Sequence, residues 1–173
     1  MRPVRRLWLL RHGKSSWDDP DRPDAERPLA DRGRRAAGLL ARYLEEAEVR
    51  PELVLCSSAR RTRETLSLVL PALGPALTAR IDPALYTFDA ARLRDQLSAV
   101  PDDVERVFVV GHNPALQDVA SELAGAGSRL PDLRAKFPTC GLARLDLDVA
   151  RWADIGPAIA TLTAFVVPRE LGA

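Results

Sequence analysis

Two short apolar segments, each followed directly by a histidine, constrain this chain more than any other feature. Residues 4–10 are mostly apolar and lead into Arg11-His12-Gly13, and residues 107–110 are apolar and lead into Gly111-His112-Asn113-Pro114. Short apolar runs bounded by turn residues predict buried β-strands. The sequence contains two histidines, so both of them stand at the carboxyl end of a predicted strand.

The residues around these strand ends predict an anion-binding site in an open α/β sheet. Ligands of such sheets bind beyond the carboxyl ends of the strands. The segment after His112 predicts a helix over residues 115–124, with Asn113 as its N-cap and Pro114 in its first turn. A helix N-terminus attracts anions, and the planar guanidinium of Arg11 matches a phosphate or a carboxylate.

A third predicted strand, over residues 53–56, also ends in polar and basic residues. A helix is predicted from there to about residue 70, with Ser57 or Ser58 as its N-cap. An arginine near the start of that helix either faces the same anion or belongs to an exposed basic turn. The segment alone favours neither interpretation.

The rest of the chain continues the alternation of strands and helices. Asp31 predicts the N-cap of a helix that ends near residue 46, and residues 14–30 form a loop over the site, either ordered or a mobile lid. The other predicted elements are an edge strand at 79–85, a helix at 89–100, a loop at 125–138, and strands at 140–149 and 159–167. This alternation predicts a mainly parallel central sheet with helices on both faces, a three-layer α/β/α fold, in a single domain over residues 1–173.

Composition narrows the class of partner. The 173 residues carry a net charge of +1 with acids and bases intermixed, so neither nucleic acid nor a membrane is predicted as a partner. Four arginines of the predicted helix that begins at Asp31 are interpreted as solvated surface and not as a binding patch: Arg32, Arg34, Arg35 and Arg42. Two cysteines without C-x-x-C spacing predict neither a disulfide framework nor a zinc site. The apolar run near the N-terminus is too short for a signal peptide or a membrane span, so a cytoplasmic location is expected; the oligomeric state is not predicted.

Three segments together resemble the signatures of the histidine phosphatase superfamily, the family of the phosphoglycerate mutases and acid phosphatases. The short chain and residues 14–33 are most similar to its small branch, the SixA-like phosphohistidine phosphatases. The resemblance extends over residues 7–125, with the segments in the family's order. The three segments are Leu10-Arg11-His12-Gly13, Ser57-Ser58-Ala59-Arg60-Arg61-Thr62-Arg63-Glu64-Thr65 and Val110-Gly111-His112-Asn113-Pro114.

The resemblance implies a phosphoglycerate mutase-like fold, no metal or other cofactor, and specific roles for four residues. His12 matches the histidine that becomes phosphorylated, and Arg11, Arg61 and His112 match the side chains that surround the phosphoryl group. The family's register selects Arg61 rather than Arg60. The chemistry is consistent with these roles, since the equatorial oxygens of a transferring phosphoryl group need fixed donors. By analogy with the family, a backbone carbonyl near the Gly13 turn is expected to hold the second nitrogen of His12.

The identity of a general acid is left open by the sequence. Asp18 stands where the family often has asparagine; it either has a raised pKa and donates a proton or is an outward-facing loop residue. Asp89 lies near the position of the acid that larger relatives carry in an inserted segment, which this chain lacks. The third option is that no acid is needed. Ser15 and Asp18 are also expected to contact the substrate.

These considerations favour a phosphorylated protein, carrying phosphohistidine, as the substrate. A phosphoester leaves as an alkoxide and needs an acid, whereas phosphohistidine leaves as a neutral imidazole once its other nitrogen is protonated. A small-molecule phosphomonoesterase acting on sugar phosphates or nucleotides is the alternative. A non-catalytic module that binds a phosphorylated ligand is the alternative from another class, and mutase activity is the least favoured.

Overall fold

The computed structural model describes residues 4–172, and one seven-stranded sheet organises them. The strand order is β3-β2-β4-β1-β6-β7-β5. The strands are β1 (Arg5–Arg11), β2 (Leu53–Ser57), β3 (Thr78–Asp82), β4 (Arg106–Gly111), β5 (Ala124–Ala126), β6 (Leu142–Leu147) and β7 (Ala160–Val166). The helices are α1 (Asp31–Glu46), α2 (Arg60–Val69), α3 (Ala90–Ser98), α4 (Ala115–Leu123) and α5 (Leu130–Ala135).

The sheet is mostly parallel, which confirms the predicted α/β class. Strands β3, β2, β4 and β1 are mutually parallel, β6 and β7 are antiparallel to their neighbours on the β1 side, and β5 is parallel to β7. Strand β3 lies at one edge, as predicted, and Pro83 begins a short 3₁₀ turn directly after it. Proline cannot donate a ladder hydrogen bond, and the strand predicted to reach residue 85 accordingly ends at Asp82.

Helices cover both faces of the sheet because each strand of its centre is apolar on both sides. Helices α1 and α2 pack over one face through Leu40, Leu44 and Leu66. Helices α3, α4 and α5 pack over the other face through residues such as Leu97 and Leu116. The central strands are buried on both faces and therefore lack a polar alternation, which is typical of parallel sheets.

Three predicted helix caps are wrong by one or two residues. Ala30, Ala59 and Pro114 occupy the N-cap positions of α1, α2 and α4, and none of them makes a side-chain cap hydrogen bond. Asp31 is instead the first residue of α1, where its negative charge still suits the helix dipole. Asn113 accepts a hydrogen bond from the Gln117 amide at 3.2 Å, one position ahead of the cap.

The predicted loop at 125–138 is also wrong, since it contains the end of β5 and all of α5. Its glycines and prolines suggested irregular structure. Pro131 lies in the first turn of α5, where its missing amide hydrogen costs nothing. Leu130 and Leu133 then bury that short helix in the core.

The register of the parallel strands brings three strand ends side by side. Arg11 at the end of β1 pairs with Gly111 at the end of β4, and Cys56 of β2 pairs with Val110 of β4. The residues that follow these strands therefore share one edge of the sheet. Within residues 4–172, no helix is long and apolar enough to cross a membrane, and no three His, Cys, Asp or Glu side chains group as metal ligands.

Candidate active site

The two histidines meet at this edge of the sheet. The amide of His12 donates a hydrogen bond to the Gly111 carbonyl at 3.2 Å, which joins the end of β1 to the end of β4. The two imidazole rings lie 5.3 Å apart between centroids, with an angle of 56° between their planes. Both side chains are buried. The sequence repeat of a strand followed by a histidine thus produces one site with two imidazoles.

The hydrogen bonds of His12 define its tautomer. Its Nδ1 lies 2.7 Å from the carbonyl oxygen of Gly13, and a carbonyl only accepts, so Nδ1 carries the proton. This carbonyl is the acceptor that the family resemblance placed near the glycine turn. The unprotonated Nε2 then faces the Nε of Arg61 at 3.4 Å. A lone pair on Nε2 is what a nucleophilic histidine requires.

Burial keeps His12 neutral. Burial lowers the pKa of His12 to about 4, and the positive charges of Arg61, Arg11 and Arg27 add to this effect, whereas the hydrogen bond to Gly13 opposes it. The loss of hydration disfavours the charged imidazolium, as does any nearby cation. At neutral pH the ring is therefore available as a base or a nucleophile.

His112 is held in the opposite orientation. Its Nε2 lies 2.8 Å from the Ser57 hydroxyl, and its Nδ1 lies 3.4 Å from Nη2 of Arg61. Because a guanidinium only donates, Nδ1 of His112 accepts and Nε2 donates to Ser57. Burial lowers the pKa of His112 to about 3, with further contributions from His12 and Arg61. Ser57 was considered as a helix cap, and its contact with His112 was missed.

Arg61 is the residue that joins the two histidines. It lies in the first turn of α2, is 3% exposed, and directs separate guanidinium nitrogens at His12 and His112. Arg60 instead points outward and pairs with Glu64 at 3.1 Å. Both interpretations of this basic segment therefore apply, each to a different residue: Arg61 faces the site and Arg60 faces solvent.

Arg11 is held by backbone and has an unused donor. Its Nη1 donates to the Phe137 carbonyl at 2.8 Å. Its Nε is buried and has no hydrogen-bond partner within residues 4–172. Burial lowers the pKa of Arg11, and the nearby charge of Arg61 lowers it further. A partly buried guanidinium next to a second arginine favours an anion at this position.

Asp24 closes the site from the loop, and the sequence analysis missed it. Its carboxylate accepts from Nη2 of Arg61 at 3.0 Å, and its backbone carbonyl accepts from Nη1 at 2.8 Å. The Tyr86 hydroxyl donates to the same carboxylate. Burial raises the pKa of Asp24, but the hydrogen bonds from Tyr86 and Arg61 outweigh this effect and leave the pKa below its usual value. Asp24 is therefore an ionised partner of Arg61.

The loop that carries Asp24 is fastened at its base. Ser15 and Leu29 form an isolated antiparallel bridge, and the Ser16 amide donates to the Pro28 carbonyl at 2.8 Å. Arg27, which is 6% exposed, donates to the Ser15 hydroxyl at 2.6 Å and lies over the Trp17 ring. Arg27 lies within residues 14–33, the segment that resembles the SixA-like branch, but no role was assigned to it from the sequence.

The other proposed site residues are placed differently. Ser15 is buried, and its hydroxyl accepts from Arg27. Asp18 is exposed, and its amide bonds to the Ser16 hydroxyl at 3.2 Å, as expected of a loop residue. Asp89 is the N-cap of α3, and its carboxylate accepts from the amides of Ala91 and Arg92. The structure therefore does not bring Asp18 or Asp89 to the two histidines.

Aromatic side chains form the rim of the site above His112. Tyr86 and Phe88 follow β3 in the chain, and their ring centroids lie 5.3 Å and 5.2 Å from that of His112. Phe88 is 47% exposed. The site thus combines two imidazoles and two arginines with aromatic rings beside His112. It suits a tetrahedral anion attached to a planar group.

Comparison with known proteins identifies the class. The sequence matches the model of the histidine phosphatase superfamily (branch 1) over residues 7–101. An uncharacterised protein of Mycobacterium tuberculosis strain H37Rv is 37% identical over 164 residues, covering 92% of this chain and 100% of the relative. The chain belongs to the histidine phosphatase superfamily.

Two solved structures refine this assignment to the SixA-like branch, as the sequence predicted. The protein from Nakamurella multipartitia assigned as the phosphohistidine phosphatase SixA has a TM-score of 0.81 and 29% identity, covering 95% of this chain and 96% of that one. The protein histidine phosphatase SixA complexed with tungstate has a TM-score of 0.76 and 26% identity, covering 96% of this chain and 99% of that one. The protein is a phosphatase of this family.

Proposed function

We propose that this protein removes the phosphoryl group from phosphohistidine on another protein, through a phosphohistidine intermediate on His12. In the first step, Nε2 of His12 forms a bond to phosphorus while the bond from phosphorus to the substrate imidazole breaks. The substrate ring, protonated on its other nitrogen, leaves as a neutral imidazole. Because Nδ1 of His12 keeps its proton, the phosphorylated ring is cationic, and the Gly13 carbonyl at 2.7 Å stabilises that charge.

In the second step, water attacks the phosphorylated His12. The oxygen of water bonds to phosphorus, the bond to Nε2 breaks, and both protons of the water leave with the phosphate as dihydrogen phosphate. Arg11 and Arg61 donate to the equatorial oxygens in both steps, with His112 beside them. Splitting the transfer into two steps lowers each barrier. These side chains supply the charge stabilisation, so the proposed reaction needs no metal.

The ionised carboxylate of Asp24 is the observation that favours phosphohistidine over a phosphoester as the substrate. A phosphoester needs a proton donor for its leaving alkoxide. The carboxylate that contacts Arg61 has a lowered pKa and accepts hydrogen bonds from Tyr86 and Arg61, so it is not a donor. Asp18 is exposed and Asp89 caps a helix. Phosphohistidine needs no such acid, and its planar ring fits the aromatic rim beside His112.

The experiment that tests the proposal is a comparison of substrates with chelator present. A phosphohistidine-bearing protein is measured against a panel of sugar phosphates and nucleotides, with wild type and His12→Ala side by side. The expected result is a preference for the phosphohistidine protein and loss of turnover in the variant. An acid-labile, alkali-stable phosphoenzyme, trapped from wild type and absent from the variant, is expected as well.

Other outcomes would redirect the assignment. A preference for a small phosphoester would keep the His12 mechanism and require an acid, for which Asp24 or Asp18 would then be tested. Phosphate binding without turnover, retained in His12→Ala, would identify a binding module. Turnover that survives the loss of His12 would show that the proposed intermediate is wrong.

A further inference from the structure

A groove of about 710 Å³ adjoins the candidate active site between α1, α5 and the segment after β7. We call it the basic groove. Its charged lining consists of one acidic side chain, Asp132, and six basic ones. The basic side chains are Lys14, Arg32, Arg35, Arg129, Lys136 and Arg169.

The groove concentrates positive charge that the chain as a whole does not have. Its lining has five more basic than acidic side chains, while the net charge of the whole protein is +1. Arg129 is neutralised, since it pairs with Glu170 at 2.8 Å and with Asp132 at 3.1 Å. Lys14 and Lys136 are exposed and form no ion pair with any of residues 4–172.

Arg32 and Arg35 belong to the same unpaired set, so their interpretation changes. Both are exposed, as the sequence indicated, and neither is in direct ion-pair contact within the described part of the chain, although the charge of Arg35 helps to lower the pKa of Asp31. They lie on the first turns of α1, where a cation is unfavourable for the helix dipole. These two cations do not stabilise α1 and both line the basic groove, so they favour an anionic ligand there.

The basic groove begins where the candidate active site ends. Lys14 follows Gly13 directly, and Pro138 of the groove follows Phe137, whose carbonyl holds Arg11 at 2.8 Å. The start of α1 packs tightly on the Lys14 backbone, because a Cβ on Gly33 would lie 2.3 Å from the Lys14 carbonyl oxygen. The basic groove and the candidate active site therefore adjoin at residues 13–14 and 137–138.

Part of the groove lining, which we call its floor, is apolar. Ala36 and Leu39 of α1 line one side, and Phe165 and Val167 line the other. A ligand that is only a charged polymer gains nothing from such a floor, whereas a peptide segment with acidic and apolar side chains matches both parts. The volume lies in the range of sites that enclose a compact ligand or a few residues of chain.

We propose that the basic groove binds an acidic segment of the phosphorylated partner protein, next to its phosphohistidine. This inference rests on the proposed function, because it assigns the partner of the same site. Exposed charges at a rim act mainly on association and on its salt dependence. The groove therefore lowers KM for acidic phosphoproteins and leaves the chemical step unchanged.

The first test compares charge reversals on one helix. The double variant Arg32→Glu/Arg35→Glu reverses two charges of the groove. The single variants Arg35→Glu, in the groove, and Arg42→Glu, at an exposed position of α1 outside the groove, form a matched pair. The substrates are phosphohistidine peptides with acidic or neutral flanks, and phosphoramidate. We expect the double variant to raise KM for the acidic peptide roughly tenfold, by analogy with exposed ion pairs, with unchanged kcat and unchanged phosphoramidate turnover.

The second test measures binding without catalysis. An acidic-flanked peptide with a non-hydrolysable phosphohistidine analogue is titrated against His12→Ala with the groove intact or reversed, at two salt concentrations. Weaker binding in the reversed groove, with a smaller salt dependence, supports the proposal. Equal affinity in both, or tighter binding of single-stranded DNA than of the peptide, overturns it. Absence of turnover on every substrate would overturn the proposed function, while this titration still decides the groove.

Discussion

The ends of β1 and β4 have the same sequence pattern but different chemistry. His12 is held through Nδ1 by a backbone carbonyl, whereas His112 is held through Nε2 by the hydroxyl of Ser57. The nitrogen left without a proton is Nε2 on His12 and Nδ1 on His112, and both face Arg61. The comparison teaches that the partner of the second ring nitrogen, rather than the position at a strand end, decides what each histidine can do.

The largest expected difference between the two strand ends is in catalysis. His12→Ala removes the nucleophile and is expected to lower kcat by about 10⁴-fold or more, while His112→Ala removes the imidazole that accepts from Arg61 and is expected to cost about 10²–10³-fold. Trapping of the phosphoenzyme distinguishes the two, since only His112→Ala retains it. Equal losses, or a phosphoenzyme in His12→Ala, would contradict the assignment of roles. Circular dichroism of both variants serves as the control for folding.

A smaller effect is expected at Ser57, which orients His112 from a neighbouring strand. Ser57→Ala removes one hydrogen bond to the ring and is expected to lower kcat roughly tenfold, corresponding to about 1–1.5 kcal/mol. The ¹⁵N chemical shifts of His112 should show a mixed tautomer in the variant, while those of His12 stay unchanged. The matched control is Ser58→Ala at the next position. An unchanged His112 spectrum in Ser57→Ala would show that Ser57 does not set the tautomer.

A third effect is expected in the dependence of stability on pH. The pKa values of His12 and His112 lie at about 4 and 3 in the folded protein, against an ordinary value of 6.5. The unfolded chain therefore binds more protons than the folded protein below pH 6.5, and stability falls as the pH decreases toward the folded-state pKa values.

Urea unfolding at pH 7 and pH 5 measures this dependence. Between those pH values the two histidines are expected to cost on the order of 1–3 kcal/mol of unfolding free energy, and His112→Asn should lose about half of that slope. The interval from pH 7 to pH 5 lies above the ordinary pKa values of carboxyl groups, so the histidines dominate the change in stability there. A wild-type stability that is flat from pH 7 to pH 5 would contradict the neutral state of both rings.

The central sheet and the positions of the two histidines were predictable because they depend on local patterns. An apolar run followed by a histidine predicts a strand end, and parallel strands share an edge, so His12 and His112 were expected at the same edge of the sheet. That β1 and β4 are neighbours there is shown by the structure. The family register also selected Arg61, whose guanidinium lies between the two rings.

The remaining contacts join residues that are distant in sequence and carry no local signal. Asp24 meets Tyr86 across 62 positions, and Arg11 is held by a carbonyl of Phe137, 126 positions away. Helix α5 was missed because its glycine- and proline-rich surroundings resemble a loop, whereas burial of Leu130 and Leu133 decides its conformation. Tertiary packing overrides weak local preference in such short segments.

The fastened base of the loop after β1 has an entropic consequence. The Ser15–Leu29 bridge and the Ser16–Pro28 hydrogen bond fix both ends of residues 17–27. The entropy of closing such a loop grows only with the logarithm of its length, so inserting a few residues costs little stability. The exposed residues 18–21 can therefore vary in length at little cost in stability while β1, β4 and their histidines stay fixed.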